Sequence, residues 1–366
     1  MPASQRVSFA ALYPDGSKYL ATSAAAAVGH DTIAQPAGAP GQAALYDTTS
    51  GQELPDTGIP TGALMPMFSP DGTRLAFNDF AIDNAHGLAV MDYDIHADKA
   101  SNYRMLTHED GALRPGWPFF LPDSKGVVYV RSASADFSGD GAFIGAGMFG
   151  DLAGPFAPLT NLMVPGPESE LYIADVASGT VTVLARAMGF DTPADAAAGK
   201  SYLPFEDDLH SAYFPTVAPI AAGGYFWLFF DSIRHYGNLG LQRQLWGAAI
   251  DIHADGTYTS DPSHPAFYLP GQEFGAGNHR AFAALDPCKR DGDSCTSGID
   301  CCGGTCSLPA TKGEFEEAVG TCSPPPMNSC AKRDERCTTH ADCCPPEPGQ
   351  PANSCIAGFC AYISVM

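Results

Sequence analysis

Residues 1–287 contain no cysteine, although the chain carries 12; all of them lie between Cys288 and Cys360. Cytosolic chains more usually scatter thiols as small buried residues, so this segregation points to disulfides or metal in one block. Basic residues are scarce as well: 19 Lys and Arg stand against 41 Asp and Glu, for a formal net charge of -22. Such a field repels nucleic acid and anionic lipid, and neither is expected as a partner. It suits a soluble secreted protein, a cationic partner or weak divalent-cation binding. No stretch reads as a membrane span. The most apolar one, residues 141–165, is rich in glycine and broken by Asp151 and several prolines. No basic-then-apolar leader follows Met1, which conflicts with an export argument from the cysteines. The expectation is therefore a chain that begins late, inside a repeat unit. Reactive signatures are absent too: there is no H-E-x-x-H, no G-x-S-x-G and no C-x2-C.

Turn formers, by contrast, are plentiful, with 39 Gly and 31 Pro. That composition fits short-strand all-β architecture, and it falls in a pattern. Tyr13-Pro14-Asp15-Gly16 precedes Lys18 to Thr22, Phe68-Ser69-Pro70-Asp71-Gly72 precedes Arg74 to Phe77, and Leu121-Pro122-Asp123-Ser124 precedes Gly126 to Val130. Each reads as strand, tight turn, strand: proline presets φ, aspartate bonds back to the backbone, and glycine takes a positive φ. A degenerate fourth copy runs from Phe214-Pro215 through Gly223-Gly224 into Tyr225 to Phe230, expected as a buried inner strand. A second hairpin follows each, as in Ala44 to Asp47 before Ser50-Gly51, and Leu171 to Asp175 before Ser178-Gly179. Leu88 to Asp92 and Leu245 to Asp251 fill the same place in the other two units. Four strands per unit make the blade of a β-propeller.

The F-S-P-D-G-x-x-L-A-F run at Phe68 to Phe77, with the L-Y-x-x-D-x-x-S-G-like stretch at Leu171 to Gly179, resembles TolB-type and related WD-like propellers. The resemblance implies a ring of blades over residues 1–287, four of them recognisable, against the six or more usual in TolB-type rings. An incomplete ring is one expectation, and a repeat-free β-sandwich is the alternative. Two insertions, Ser132 to Glu170 and Ala187 to His210, are expected to project from one face, with a short helix around Ala194 to Lys200.

The cysteines fall into two frames, Cys288-x6-Cys295-x5-Cys301-Cys302-x3-Cys306-x15-Cys322 and Cys330-x6-Cys337-x5-Cys343-Cys344-x10-Cys355-x4-Cys360. Their first three intervals agree, which marks a duplication. The spacing resembles the inhibitor cystine knot, or knottin, family; a dickkopf-like or colipase-like module is the other topology. The knottin resemblance implies the pairs Cys288–Cys302, Cys295–Cys306, Cys301–Cys322, Cys330–Cys344, Cys337–Cys355 and Cys343–Cys360. Six cysteines allow 15 connectivities, so spacing alone does not choose among them. Zinc fits poorly, because adjacent cysteines cannot easily share one tetrahedral site. The expected division is residues 1–287, a module at 288–322, a proline-rich spacer at 323–329 and a second module at 330–360.

Candidate chemistry is sparse. Gly145 to Gly150 matches G-x-G-x-x-G, but no βαβ unit surrounds it, so a loop is expected. Asp136, Ser138 and Asp140 followed by Gly141 resemble the start of a calcium loop, without the acidic twelfth ligand, where Gly147 stands. Calcium is the one cofactor this pattern admits. Glu206, Asp207, Asp208, His210, Asp231, His235, His264 and His279 form a loose His/carboxylate population near strand ends. If Asp207, His210, Asp231, His235 and His264 met in one cleft, they could bind a metal or act as acid and base. Otherwise they cap strands. The expected role is a secreted, periplasmic or cell-surface non-enzymatic protein that binds a protein, peptide or glycan. The alternatives are a metal-assisted hydrolase or lyase, and knot modules acting as protease inhibitors or toxin-like effectors.

Overall fold

The computed structural model describes residues 6–24, 42–82, 85–110, 113–133, 168–205, 208–235, 243–273, 278, 280–283, 289, 292–297, 300–301, 305–308, 319–323, 330, 337, 343–344, 353–356 and 359–362. The chain is all-β, with two short helices, α1 (Ala185–Met188) and α2 (Pro193–Ala197), among the described residues. Strands β1 (Arg6–Leu12), β2 (Lys18–Ala24) and β3 (Gln42–Asp47) form a three-stranded meander. An isolated antiparallel bridge from Tyr46 to Glu53 marks the position of a fourth strand. Four-stranded meanders follow. The second sheet holds β4 (Ala63–Phe68), β5 (Arg74–Asp79), β6 (Gly87–Asp94) and β7 (Lys99–His108). The third holds β8 (Leu113–Phe120), β9 (Gly126–Ala133), β10 (Ser169–Asp175) and β11 (Val181–Val183). The fourth holds β12 (Ala212–Val217), β13 (Tyr225–Ser232), β14 (Gln244–Asp251) and β15 (Phe267–Tyr268).

Turn chemistry fixes these meanders. Asp15, Asp71 and Asp123 each accept, through Oδ1, the backbone N–H two residues on, at 2.7–3.0 Å. Gly16 and Gly72 take φ of 75° and 72°. The second hairpins repeat another device: Asp47 and Asp175 each accept the N–H of the serine three residues on at 2.7 Å. Gly51 and Gly179 close those turns in the left-handed region that side chains resist.

Successive sheets pack face to face through their leading strands, β1 against β4, β4 against β8 and β8 against β12. This serial packing of four-stranded meanders is propeller architecture. The cores lie between sheets. Leu75 and Phe77 on β5 meet Leu20, Leu45 and Phe68, whereas Ala76 between them faces Phe120, Val127 and Tyr129 of the third sheet. Alternation along one strand thus serves two interfaces. Polar tethers repeat with the blades: Thr22 Oγ1 donates to Ala63 O at 2.8 Å, and Asn78 Nδ2 to Pro115 O at 2.7 Å. Each joins a second strand to the leading strand of the next sheet.

One expectation holds in part: Tyr225 to Phe230 is an inner strand, β13 lying between β12 and β14, but it is not buried throughout, since Tyr225, Trp227 and Phe229 are only half-buried. Trp227 packs edge-on against Phe267 of β15, 5.9 Å between centroids. The short helix is present as α2, with Thr192 capping it through a hydrogen bond from Asp195 N. The preceding turn α1 has no counterpart in the sequence reading.

By contacts the chain divides into two compact units, the first being Met1–Val217 with Trp227–Ile250 and Thr257–Phe282. The second unit contains the cysteine-rich region. There, β16 (Ser294–Cys295), β17 (Thr305–Ser307) and β18 (Gly320–Ser323) form a small sheet, and β19 (Asn353–Ile356) pairs with β20 (Phe359–Tyr362). Five disulfides are present, Cys295–Cys306, Cys301–Cys322, Cys330–Cys344, Cys337–Cys355 and Cys343–Cys360. Cys288 and Cys302 lie outside the described residues.

Candidate functional site

The leading strands bring three buried aromatic rings together. Each of β4, β8 and β12 breaks register once, at Met65-Pro66, Trp117-Pro118 and Phe214-Pro215. Two residues there oppose one on the partner strand, which is a β-bulge. Proline is tolerated because the ladder asks nothing of its missing N–H. The residue before each proline takes a left-handed φ, 48° at Met65, 54° at Trp117 and 49° at Phe214. Phe9 stands the same distance before its aspartate as Met65 and Trp117 do. All four side chains are buried. Trp117 packs edge-on against Phe9 at 5.5 Å and Phe214 at 4.7 Å. The Arg280 guanidinium lies 4.7 Å from the Trp117 ring, and burial lowers its pKa to about 10.

Charged side chains gather at the sheet ends opposite the P-D-G turns, and they do so in pairs. Arg243 Nη1 donates to Asp231 Oδ2 at 2.7 Å; both are buried, and the guanidinium sits 4.3 Å from the Tyr213 ring. His235 presents both its backbone N–H and Nδ1 to Asp208 Oδ1, at 2.9 and 2.7 Å. Arg131 pairs with buried Glu109, which also accepts from Thr107 Oγ1 at 2.8 Å. His210 Nδ1 meets Glu170 Oε1 at 2.5 Å, and Tyr172 Oη donates to Glu170 Oε2 at 2.9 Å. Burial pushes the Glu170 carboxyl up, but the His210 and Tyr172 hydrogen bonds outweigh it and hold its pKa below the ordinary value. The hydrogen bond to Glu170 raises the His210 pKa against a smaller opposing effect of burial.

Of the five residues expected to meet, His210, Asp231 and His235 each have a different charged partner. His264 lies beyond β14, with its backbone N–H on Ala249 O. Asp207 and His279 lie outside the described residues, as do Asp136, Ser138 and Asp140 and the Gly145 to Gly150 run. Glu170 was missed, though a period-two reading puts it on the same face of β10 as Tyr172.

Glu170 and Tyr172 also line a cleft of about 830 Å³ beside β11. Its other walls come from β11, from Arg186 and Asp191, from the first turn of α2, and from Thr259 to Asp261. Asp261 is fixed there, since Oδ1 accepts from Ser263 N and Oγ while Oδ2 accepts from Arg186 N. Among the described residues, the groups of three ligating side chains close enough to share an ion are Cys295/Cys301/Cys322 and Cys337/Cys343/Cys360. Those sulfurs are already joined in disulfides.

No family model matches the chain, and no curated protein matches it. Among solved structures, one is described as TolB from Agrobacterium tumefaciens, with 16% identity over 73% of this chain and 63% of that one, TM-score 0.38. TolB from Acinetobacter baumannii shares 14% identity over 68% of this chain and 42% of that one, TM-score 0.32. Oligogalacturonate lyase from Vibrio parahaemolyticus shares 12% over 72% and 54%, TM-score 0.37. The chain thus spans less than two thirds of each. Scores of this size leave the fold to be argued from the sheets themselves.

Proposed function

We propose that this chain is a non-enzymatic binding protein that works outside the reducing cytoplasm and recognises a protein, peptide or glycan. One observation carries the reading. The charged side chains Asp231, Arg243, Asp208, His235, Glu109, Arg131, Glu170 and His210 are paired within the protein, while the cleft beside β11 stays open and rich in hydrogen-bonding groups. Convergent polar groups in a concave site are what a binding site needs. The disulfides support that compartment, since they form and persist in oxidising surroundings and are rare in the cytosol. The cysteine frames, proposed as knottin-like modules at 288–322 and 330–360, serve as protease-resistant appendages, since modules this small need covalent staples.

The test is a panel of peptides and glycans screened against the full chain and against Thr182→Trp, which fills the cleft. Retained binding in the first and loss in the second supports the reading; turnover of any panel member overturns it. A hydrolase or lyase is the second reading, and Glu170 favours it: it lines the cleft with His210 hydrogen-bonded to it, and a carboxyl of shifted pKa on a cleft can exchange a proton with a ligand.

A further inference from the structure

The cleft's long wall is a sheet edge. β11 is the last strand of the third sheet, and Val181, Thr182 and Val183 all line the cleft, half-exposed. Their backbone directions follow from the ladder. Asp175 N donates to Thr180 O and Leu184 N to Leu171 O, both at 2.9 Å, and between these pairs Ile173 stands opposite Thr182. Hydrogen-bonded pairs alternate in an antiparallel ladder, so Thr182 turns its N–H and C=O toward β10. Val181 and Val183 therefore turn theirs away from β10, into the cleft. Such an edge is a template for another strand.

The charge on the cleft is one-sided. Glu170, Asp191 and Asp261 line it against Arg186 alone, in a chain whose formal charge is -22. Asp191 is exposed, and Arg186 Nε reaches only its backbone carbonyl, at 3.4 Å. We infer that the cleft takes an extended peptide bearing lysine or arginine, added to β11 as a fifth strand. Val181 and Val183 supply the backbone hydrogen bonds, and the carboxylates hold the cationic side chains. Three β11 residues offer about 10 Å of pairing, so a segment of about four to six residues suffices. This inference rests on the binding reading proposed above and narrows its ligand to one class.

The experiment uses the full chain and three fluorescein-labelled hexapeptides: alternating Lys-Val, its Glu-Val counterpart, and the Lys-Val peptide N-methylated at alternate backbone nitrogens. Fluorescence anisotropy reads the affinity. The basic peptide is expected to bind, with Glu-Val and N-methylated forms each at least about tenfold weaker, the loss of one or two hydrogen bonds or a charge contact. Asp191→Asn weakens the basic peptide and flattens its salt dependence. Val181→Pro, which removes an N–H that the ladder does not use, weakens it about tenfold with an unchanged circular dichroism melt. Equal binding of the N-methylated and parent peptides overturns the inference, because surface charge alone would then account for it. If no peptide binds but a glycan does, and Thr182→Trp abolishes that, the inference fails and the binding reading stands. If nothing binds and turnover is seen, both fail.

Discussion

Asp231 and Arg243 have more at stake than any exposed pair, since the aspartate is 0% and the arginine 4% exposed. Removing one partner leaves an uncompensated buried charge, which costs about 3–5 kcal/mol, whereas replacing both with apolar groups can be nearly neutral. Urea unfolding should show Asp231→Ala destabilised by about that much, and Asp231→Leu with Arg243→Met close to the parent. The Glu170–His210 pair makes a different prediction. His210 has a raised pKa in the folded chain, so its contribution is complete below the ordinary histidine value of 6.5 and is lost as pH rises through the higher folded value. Glu170, with a lowered pKa, contributes above the ordinary carboxyl range and loses that contribution as pH falls through its folded value. Proton NMR should place the His210 midpoint above 6.5, and Glu170→Gln should return it toward that value. In the same variant the fall in melting temperature as pH rises above 6.5 should shrink.

At the scale of elements, the tethers between sheets are the test. Asn78 Nδ2 serves two carbonyls, Ala85 O and Pro115 O, each at 2.7 Å and buried. Asn78→Leu leaves both unpaired and should cost about 1–3 kcal/mol in chemical denaturation for each group stranded. Thr22→Val, which strands Ala63 O, should cost about the lower end of that range. The hairpins were legible in the sequence because Pro, Asp and Gly impose turn geometry locally. The bulges were not, although Met65-Pro66, Trp117-Pro118 and Phe214-Pro215 all mark them. A proline inside a strand reads as an interruption until the ladder shows a register shift that it can occupy. The site pairs were less legible still. His210 meets Glu170 across 40 positions and Asp208 meets His235 across 27, and nothing local in either segment encodes the meeting. Tyr225 to Phe230 misled for a related reason, since a run of large apolar residues does not say which of its faces stays half-open.

For the whole molecule, the cysteines offer a clean separation. Intact mass should rise by about 12 Da on full reduction, two hydrogens for each of six bridges, of which five are in place and pair ten cysteines. Residues 1–287 have no thiol to lose, so a reductant should leave their thermal transition unmoved while the cysteine-rich region becomes protease-sensitive. A shift of the main transition would contradict the proposed boundary at 287. The packing of Phe9, Trp117 and Phe214 has a consequence of its own. Phe9, Met65, Trp117 and Phe214 hold equivalent places in four related units, yet they are three different residue types. Four tryptophans would overfill the space where Phe9, Trp117 and Phe214 meet, and four methionines would leave those aromatic contacts unmade. An assembly made by copying one module must therefore break its symmetry at its centre, and drift between the copies is most constrained where they touch.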